Sequence, residues 1–86
     1  MHRATDRFWR CYHNLPSNVR KDADKAFALL RDNPRHPSLF LKKVGALWSV
    51  RVSDACRALA VRDGDDFLWV WIGMHDEYDL IIRNRR

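Results

Sequence analysis

The chain has 86 residues, a net charge of +5 at neutral pH and 47% hydrophobic residues. This length fits one domain, residues 1–86, and the hydrophobic content excludes a disordered chain. No apolar run approaches the roughly 20 residues of a membrane span, and the first residues lack the apolar core of a secretory signal. We therefore expect a cytoplasmic protein with no membrane contact.

The positive charge is concentrated in the first half of the chain. Residues 1–43 carry ten Lys and Arg against four Asp, which gives +6, whereas residues 44–86 carry six Arg against seven acidic residues, which gives −1. Such a charge attracts polyanions such as RNA, DNA or an acidic protein segment, although a basic surface also serves solubility. The charge alone leaves both interpretations open.

Two helices are predicted for residues 5–33. Thr5 can cap the first helix, and Pro16 or Ser17 begins the second, whose apolar residues recur at helical spacing. Asn33 ends it, because a residue that precedes proline disfavours the helical backbone. Residues 1–4 carry little strand signal, so we expect a first strand that is missing or very short.

Four strands are predicted next, separated by turn signals that include the hairpin sequence Asp63-Gly64-Asp65. They span residues 39–44, 47–53, 56–62 and 67–72. Because the last is apolar on both faces, we place it centrally in the sheet. Asp76 can cap a short helix that ends at about Asn84 and that must dock through Leu80, Ile81 and Ile82.

The predicted fold class is α+β. Two N-terminal helices pack on one face of a four-stranded antiparallel sheet, with a short C-terminal helix, and the other face is left to solvent or a ligand. Cys11 and Cys56 show no metal-ligand spacing, so we expect reduced thiols buried as small hydrophobic groups and no metal site.

Basic side chains on three successive predicted strands form a candidate phosphate-binding set. They are Lys42, Lys43, Arg51 and Arg57. Arg offers a fork of donors that matches a phosphate. Arg57 interrupts an apolar strand, which favours a functional role over an ion pair with Asp54 or Glu77. For Lys42 and Lys43, each taken singly, a solvated face of the strand is at least as good an explanation as a functional role.

His75 and Tyr78 form a second candidate set at the start of the last helix. Their spacing of three residues places both rings on one side of a helical turn. A histidine beside a phenol can move protons near neutral pH, although a lone histidine is more often structural. With the arginines, the pair completes the requirements of RNA cleavage: a base for the ribose 2′-hydroxyl, cations for the phosphate and an acid for the leaving oxygen.

The tryptophans Trp48, Trp69 and Trp71 admit two interpretations. Their rings could stack on nucleic-acid bases. Their spacing along predicted strands favours packing in the core for most of them.

Five segments together resemble the RelE/ParE superfamily of toxins from bacterial type II toxin–antitoxin systems. They are Leu15-Pro16 with the helix that follows, Asn33–Leu39, Trp48–Val52, Arg57–Leu59 and Trp71–Asp79. The resemblance covers roughly residues 5–82 and implies a microbial RNase-like fold. It also implies a cognate antitoxin that wraps and neutralises the toxin.

In the RelE branch the resemblance implies cleavage of messenger RNA on the ribosome by 2′-hydroxyl attack, without a metal ion or other cofactor, and hence inhibition of translation. Lys43 and Lys42 match the family's basic strand, Arg51 and Arg57 its sheet arginines, and His75 and Tyr78 its C-terminal pair. In the ParE branch the same fold poisons DNA gyrase. A module that only binds nucleic acid or the antitoxin is a further alternative.

Overall fold

The computed structural model describes residues 2–83 and confirms the α+β class. Its elements are β1 (His2–Ala4), α1 (Asp6–His13), α2 (Ser17–Asp32), a 3₁₀ turn (Pro37–Leu39), β2 (Lys42–Val44), β3 (Leu47–Arg51), β4 (Cys56–Asp63), β5 (Asp66–Met74) and α3 (His75–Arg83). Within these residues the strands form one sheet in the order β1-β5-β4-β3-β2. None of the described helices is long and apolar enough to cross a bilayer.

The first strand corrects the predicted sheet. β1 pairs in parallel with β5, with His2 opposite Phe67 and Ala4 opposite Trp69, so the sheet is mixed and has five strands. The other pairings are antiparallel, as predicted. Three residues are too few to show a period of two, and β1 depends on the hydrogen-bonding edge that β5 offers. Its presence gives β5 a neighbour on both sides, which agrees with the apolar sequence of β5.

The N-terminal helices begin and end at the predicted signals. The Thr5 side chain accepts a hydrogen bond from the Phe8 backbone N–H at 3.1 Å, which caps α1. α2 follows Pro16 and ends one residue before Asn33. Both helices pack on one face of the sheet, where the largest buried side chains are those of Phe8 and Trp69.

The C-terminal helix lies on the other face of the sheet, which is therefore only partly open. Tyr78 packs with Leu47, Leu59 and Trp71 in a second, smaller core. Ile81 and Ile82 pack against that core, whereas Leu80 is 59% exposed, so the predicted docking of Leu80 is wrong.

Helix α3 also begins earlier than predicted. Its first residue is His75, and Asp76 lies in its first turn rather than at the cap. The predicted end at about Asn84 lies outside the described residues.

The region before β2 also differs from the prediction. Residues 39–41 are not strand, because a 3₁₀ turn ends at Leu39 and Phe40 follows with a left-handed φ of 46°. Such a backbone is costly for a residue with a side chain, by about 1–3 kcal/mol. The chain therefore turns sharply at Phe40, and β2 is shortened to Lys42–Val44.

The two cysteines are free, and their environments predict different reactivities. Cys56 is fully buried, and burial raises the pKa of its thiol to about 11, whereas Cys11 is half-buried. Because the thiolate is the reactive form, we expect a thiol reagent at pH 8 to modify Cys11 in the folded protein and Cys56 only after unfolding. Mass spectrometry after timed alkylation measures this, and equal rates in native buffer would contradict it.

Candidate active site

An open groove of about 630 Å³ lies on the face of the sheet opposite α1 and α2. Strands β2, β3 and β4 form its floor, and α3 forms one wall. The residues that line it are Phe40, Leu41, Lys42, Ser49, Arg51, Arg57, His75, Tyr78, Asp79 and Ile82. The groove thus brings together five of the six residues that the sequence predicted, from three strands and a helix.

The pairing of the strands explains which basic residues enter the groove. Arg51 lies opposite Arg57, and Lys42 lies opposite Ser49. Lys43 lies opposite Trp48, which packs against the core beneath α1 and α2. Since successive side chains of a strand point to opposite faces, Lys43 lies on the helix-covered side and outside the groove.

Two arginines therefore stand side by side on adjacent strands, an arrangement that repulsion between like charges disfavours. Arg51 forms an ion pair with the exposed carboxylate of Asp54, and its guanidinium carbon lies 5.4 Å from the centroid of the Phe40 ring. The half-buried Arg57 instead donates to backbone carbonyls, those of Ser53 and of Cys56 among them.

Arg57 thus carries a charge that no carboxylate neutralises among the described residues. The alternative that Arg57 pairs with Asp54 is not observed, because that carboxylate binds Arg51. Backbone carbonyls fix the position of the Arg57 guanidinium without neutralising it. An anion in the groove would relieve the repulsion between the two arginines, so the geometry favours a phosphate at this point.

His75 is held in place from two directions. Its backbone N–H donates to the carbonyl of Ala55 at 2.8 Å, which ties the start of α3 to the loop between β3 and β4. Its Nδ1 lies 3.1 Å from the Asp79 carboxylate, one helical turn on, and the imidazole is 45% exposed. When Nδ1–H donates to a carboxylate, Nε2 keeps its lone pair and can accept a proton.

Tyr78 lies beside His75, with ring centroids 6.1 Å apart, but its environment is different. The phenol is only 4% exposed, and its oxygen lies 2.9 Å from the Ser49 hydroxyl, which is itself buried. The structure therefore brings the predicted pair together but leaves only His75 accessible to a ligand. Tyr78 anchors α3 on the sheet.

The Ser49–Tyr78 hydrogen bond makes a testable contribution to stability. We expect Tyr78→Phe and Ser49→Ala each to lower the free energy of unfolding by about 1–2 kcal/mol, because each leaves a buried hydroxyl without its partner. The double variant should lose less than the sum of the two. Urea unfolding followed by Trp fluorescence measures all three, and strictly additive losses would show that the two hydroxyls do not interact.

Sequence reasoning missed three residues of the site. Asp79 stands four residues after His75, a spacing that signals contact within a helix. Ser49 is one of the polar residues that alternate with apolar residues along β3, but its hydrogen-bond partner, Tyr78, comes from a distant segment of the chain. Phe40 enters the site through its left-handed backbone, for which the sequence carries no signal. Residues 2–83 contain no group of three or more His, Cys, Asp or Glu side chains that could hold a metal ion.

The three helices and the mixed sheet form a small α+β fold of the RelE-like type. The structure resembles RelE in the RelB–RelE antitoxin–toxin complex from Methanococcus jannaschii, with a TM-score of 0.72 and 14% identity over 91% of this chain and 96% of that one. It also resembles YafQ from E. coli, with a TM-score of 0.68 and 8% identity over 91% of this chain and 96% of that one.

The isolated E. coli RelE toxin matches with a TM-score of 0.63 and 14% identity over 98% of this chain and 96% of that one. No protein-family model and no curated protein sequence matches the chain. These comparisons confirm the RelE/ParE fold that the sequence motifs predicted.

Proposed function

We propose that the protein is the toxin of a type II toxin–antitoxin pair and that it acts as an endoribonuclease on messenger RNA at the ribosome, in the cytoplasm. The observation that carries the proposal is the groove, where the uncompensated Arg57 and the accessible His75 meet. The likeness of the fold to RelE toxins also supports it. The groove lies on the sheet face that the N-terminal helices do not cover.

The proposed reaction begins with proton abstraction. Nε2 of His75 takes the proton of the ribose 2′-hydroxyl, and Asp79 stabilises the imidazolium that forms. The 2′-oxygen attacks the adjacent phosphorus and forms a 2′,3′-cyclic phosphate, while the bond to the 5′-oxygen breaks. Arg51 and Arg57 hold the phosphate and stabilise the negative charge that grows on its oxygens. These steps need neither a metal ion nor a cofactor.

The leaving 5′-oxygen requires one proton. Lys42 is suited to supply it, because it lies on β2, whereas α3 with His75 contacts β4 and β5. The acid and the base then stand on opposite sides of the arginine pair, as an in-line displacement requires. The buried Tyr78 contributes by fixing the position of α3.

The proposed partner that restrains this activity is a cognate antitoxin. The RelB–RelE complex among the structural neighbours shows such a pairing for that protein. An acidic segment of the antitoxin would match the uncompensated positive charge of the groove and would exclude RNA.

Inducible expression in bacteria with mapping of RNA 5′ ends tests the proposed function. We expect growth arrest together with new RNA ends inside open reading frames. His75→Ala should abolish the new ends, while Asp76→Asn, an exposed change one residue away, should not. Intact messenger RNA in arrested cells, with a loss of DNA supercoiling, would overturn the proposal and favour poisoning of DNA gyrase.

A further inference from the structure

A second depression, of about 680 Å³, adjoins the groove at the edge of the sheet. Phe40 and Leu41 line both, so the two depressions meet at this edge. The second extends onto the face of the sheet on which Trp48 lies. The second depression, which we call the stacking site, is also lined by Arg35, Trp48 and Arg62. Its lining contains no acidic residue.

Arg62 lies over aromatic rings in the stacking site. Its guanidinium carbon lies 5.4 Å from the centroid of the Trp48 ring and 5.5 Å from that of Phe67. Its Nε donates to the carbonyl of Gly64 at 3.0 Å, which holds the guanidinium in place. Among the described residues neither Arg62 nor Arg35 forms an ion pair. The site therefore offers a planar cationic surface with uncompensated charge.

Phe40 lies between the stacking site and the groove and lines both. Its ring is 60% exposed, although burial would be expected of a large apolar side chain, and its backbone has a left-handed φ of 46°. Arg51, which belongs to the groove, lies against this ring. An aromatic ring held between two cationic sites matches the alternation of bases and phosphates in a single strand of nucleic acid.

We infer that the stacking site binds the base of a nucleotide that neighbours the scissile phosphate in single-stranded RNA. The inference rests on the proposed function, because it takes the groove as the phosphate site. A base reaches an aromatic or guanidinium plane only when it is unstacked, which excludes a duplex. Trp69 and Trp71 are buried in the cores, so Trp48 is the tryptophan that contributes to this surface.

Binding of short RNA probes to the purified full chain tests the inference. We would use fluorescein-labelled, 2′-O-methylated oligonucleotides that cannot be cleaved: one of three nucleotides, which the groove can hold, and one of six, which spans both sites. Fluorescence anisotropy should show about tenfold tighter binding of the longer probe. Arg62→Gln should reduce the affinity for the longer probe to that for the shorter one and leave the affinity for the shorter probe unchanged. Arg62→Lys keeps the positive charge but loses the planar guanidinium group, so it should remove most of the preference for the longer probe.

Arg7→Gln provides the matched control, because it removes one positive charge from an exposed position on α1 that does not line the stacking site. It should preserve the preference for the longer probe. Wild-type affinity of Arg62→Gln for the longer probe would overturn the inference. The inference would also be overturned if the wild-type protein bound both probes equally well, or bound a duplex as tightly as the single strand of the same length. Arg57→Gln should weaken the binding of both probes, because it alters the groove that they share. The mapping of RNA ends tests the proposed function separately.

Discussion

Replacement of Arg57 by Ala should lower the rate of RNA cleavage by about 10²–10³-fold, because it removes a fixed donor from the phosphate in the transition state. Arg57 is the arginine of the groove whose charge no carboxylate neutralises among the described residues, and its position is set by backbone carbonyls. The rate would be measured in single turnovers on ribosomes programmed with messenger RNA. Arg7→Ala, on the exposed surface of α1, is the matched control and should retain the wild-type rate.

The Arg57 side chain also donates to the Ser53 carbonyl in the loop between β3 and β4, so the free energy of unfolding of each Arg57 variant must be measured separately. Arg57→Lys keeps the positive charge but loses the fork that reaches several acceptors at once. We expect it to cleave faster than Arg57→Ala yet more slowly than the wild type. A folded Arg57→Ala protein that cleaves at the wild-type rate would remove Arg57 from the active site.

Replacement of His75 by Ala should have a comparable or larger effect, about 10²–10⁴-fold, because it removes the proposed general base. The pH dependence of the rate should change when the proposed base is removed. His75→Ala should therefore give a pH profile of a different shape from that of the wild type. A profile that keeps its shape without His75 would assign the base to another group.

Asp79 can be tested as a residue that positions His75. Asp79→Asn keeps the size of the side chain but withdraws the charge that would stabilise the imidazolium in the proposed reaction, so we expect about a tenfold slower rate. Asp76→Asn is the control, since it removes the same charge from the same helix at a position whose carboxylate forms no ion pair with His75 among the described residues. Equal effects of the two changes would point to the charge of the helix rather than to the pair.

The composition of the groove was only partly predictable. Arg51 was identified because strand alternation places it on the face opposite Trp48. Arg57 interrupts an apolar strand, and His75 stands where a strand gives way to a helix. The register of β2 places Lys42 opposite Ser49 and Lys43 opposite Trp48, so only Lys42 lies in the groove. Tyr78 was correctly placed next to His75, but its hydrogen bond is made to Ser49, a residue 29 positions away on β3.

The sequence by itself determined the two N-terminal helices, the antiparallel strands and the hairpin at Gly64, because capping residues, prolines and alternation act within a few positions of the chain. It also carried the segments whose resemblance predicted the RelE-like fold. Only the tertiary structure decided the parallel pairing of β1, the face on which each lysine lies and the partners of Arg57. These features depend on contacts between distant segments, whose register is set by packing of the whole chain. The groove exists only where residues of β2, β3, β4 and α3 meet.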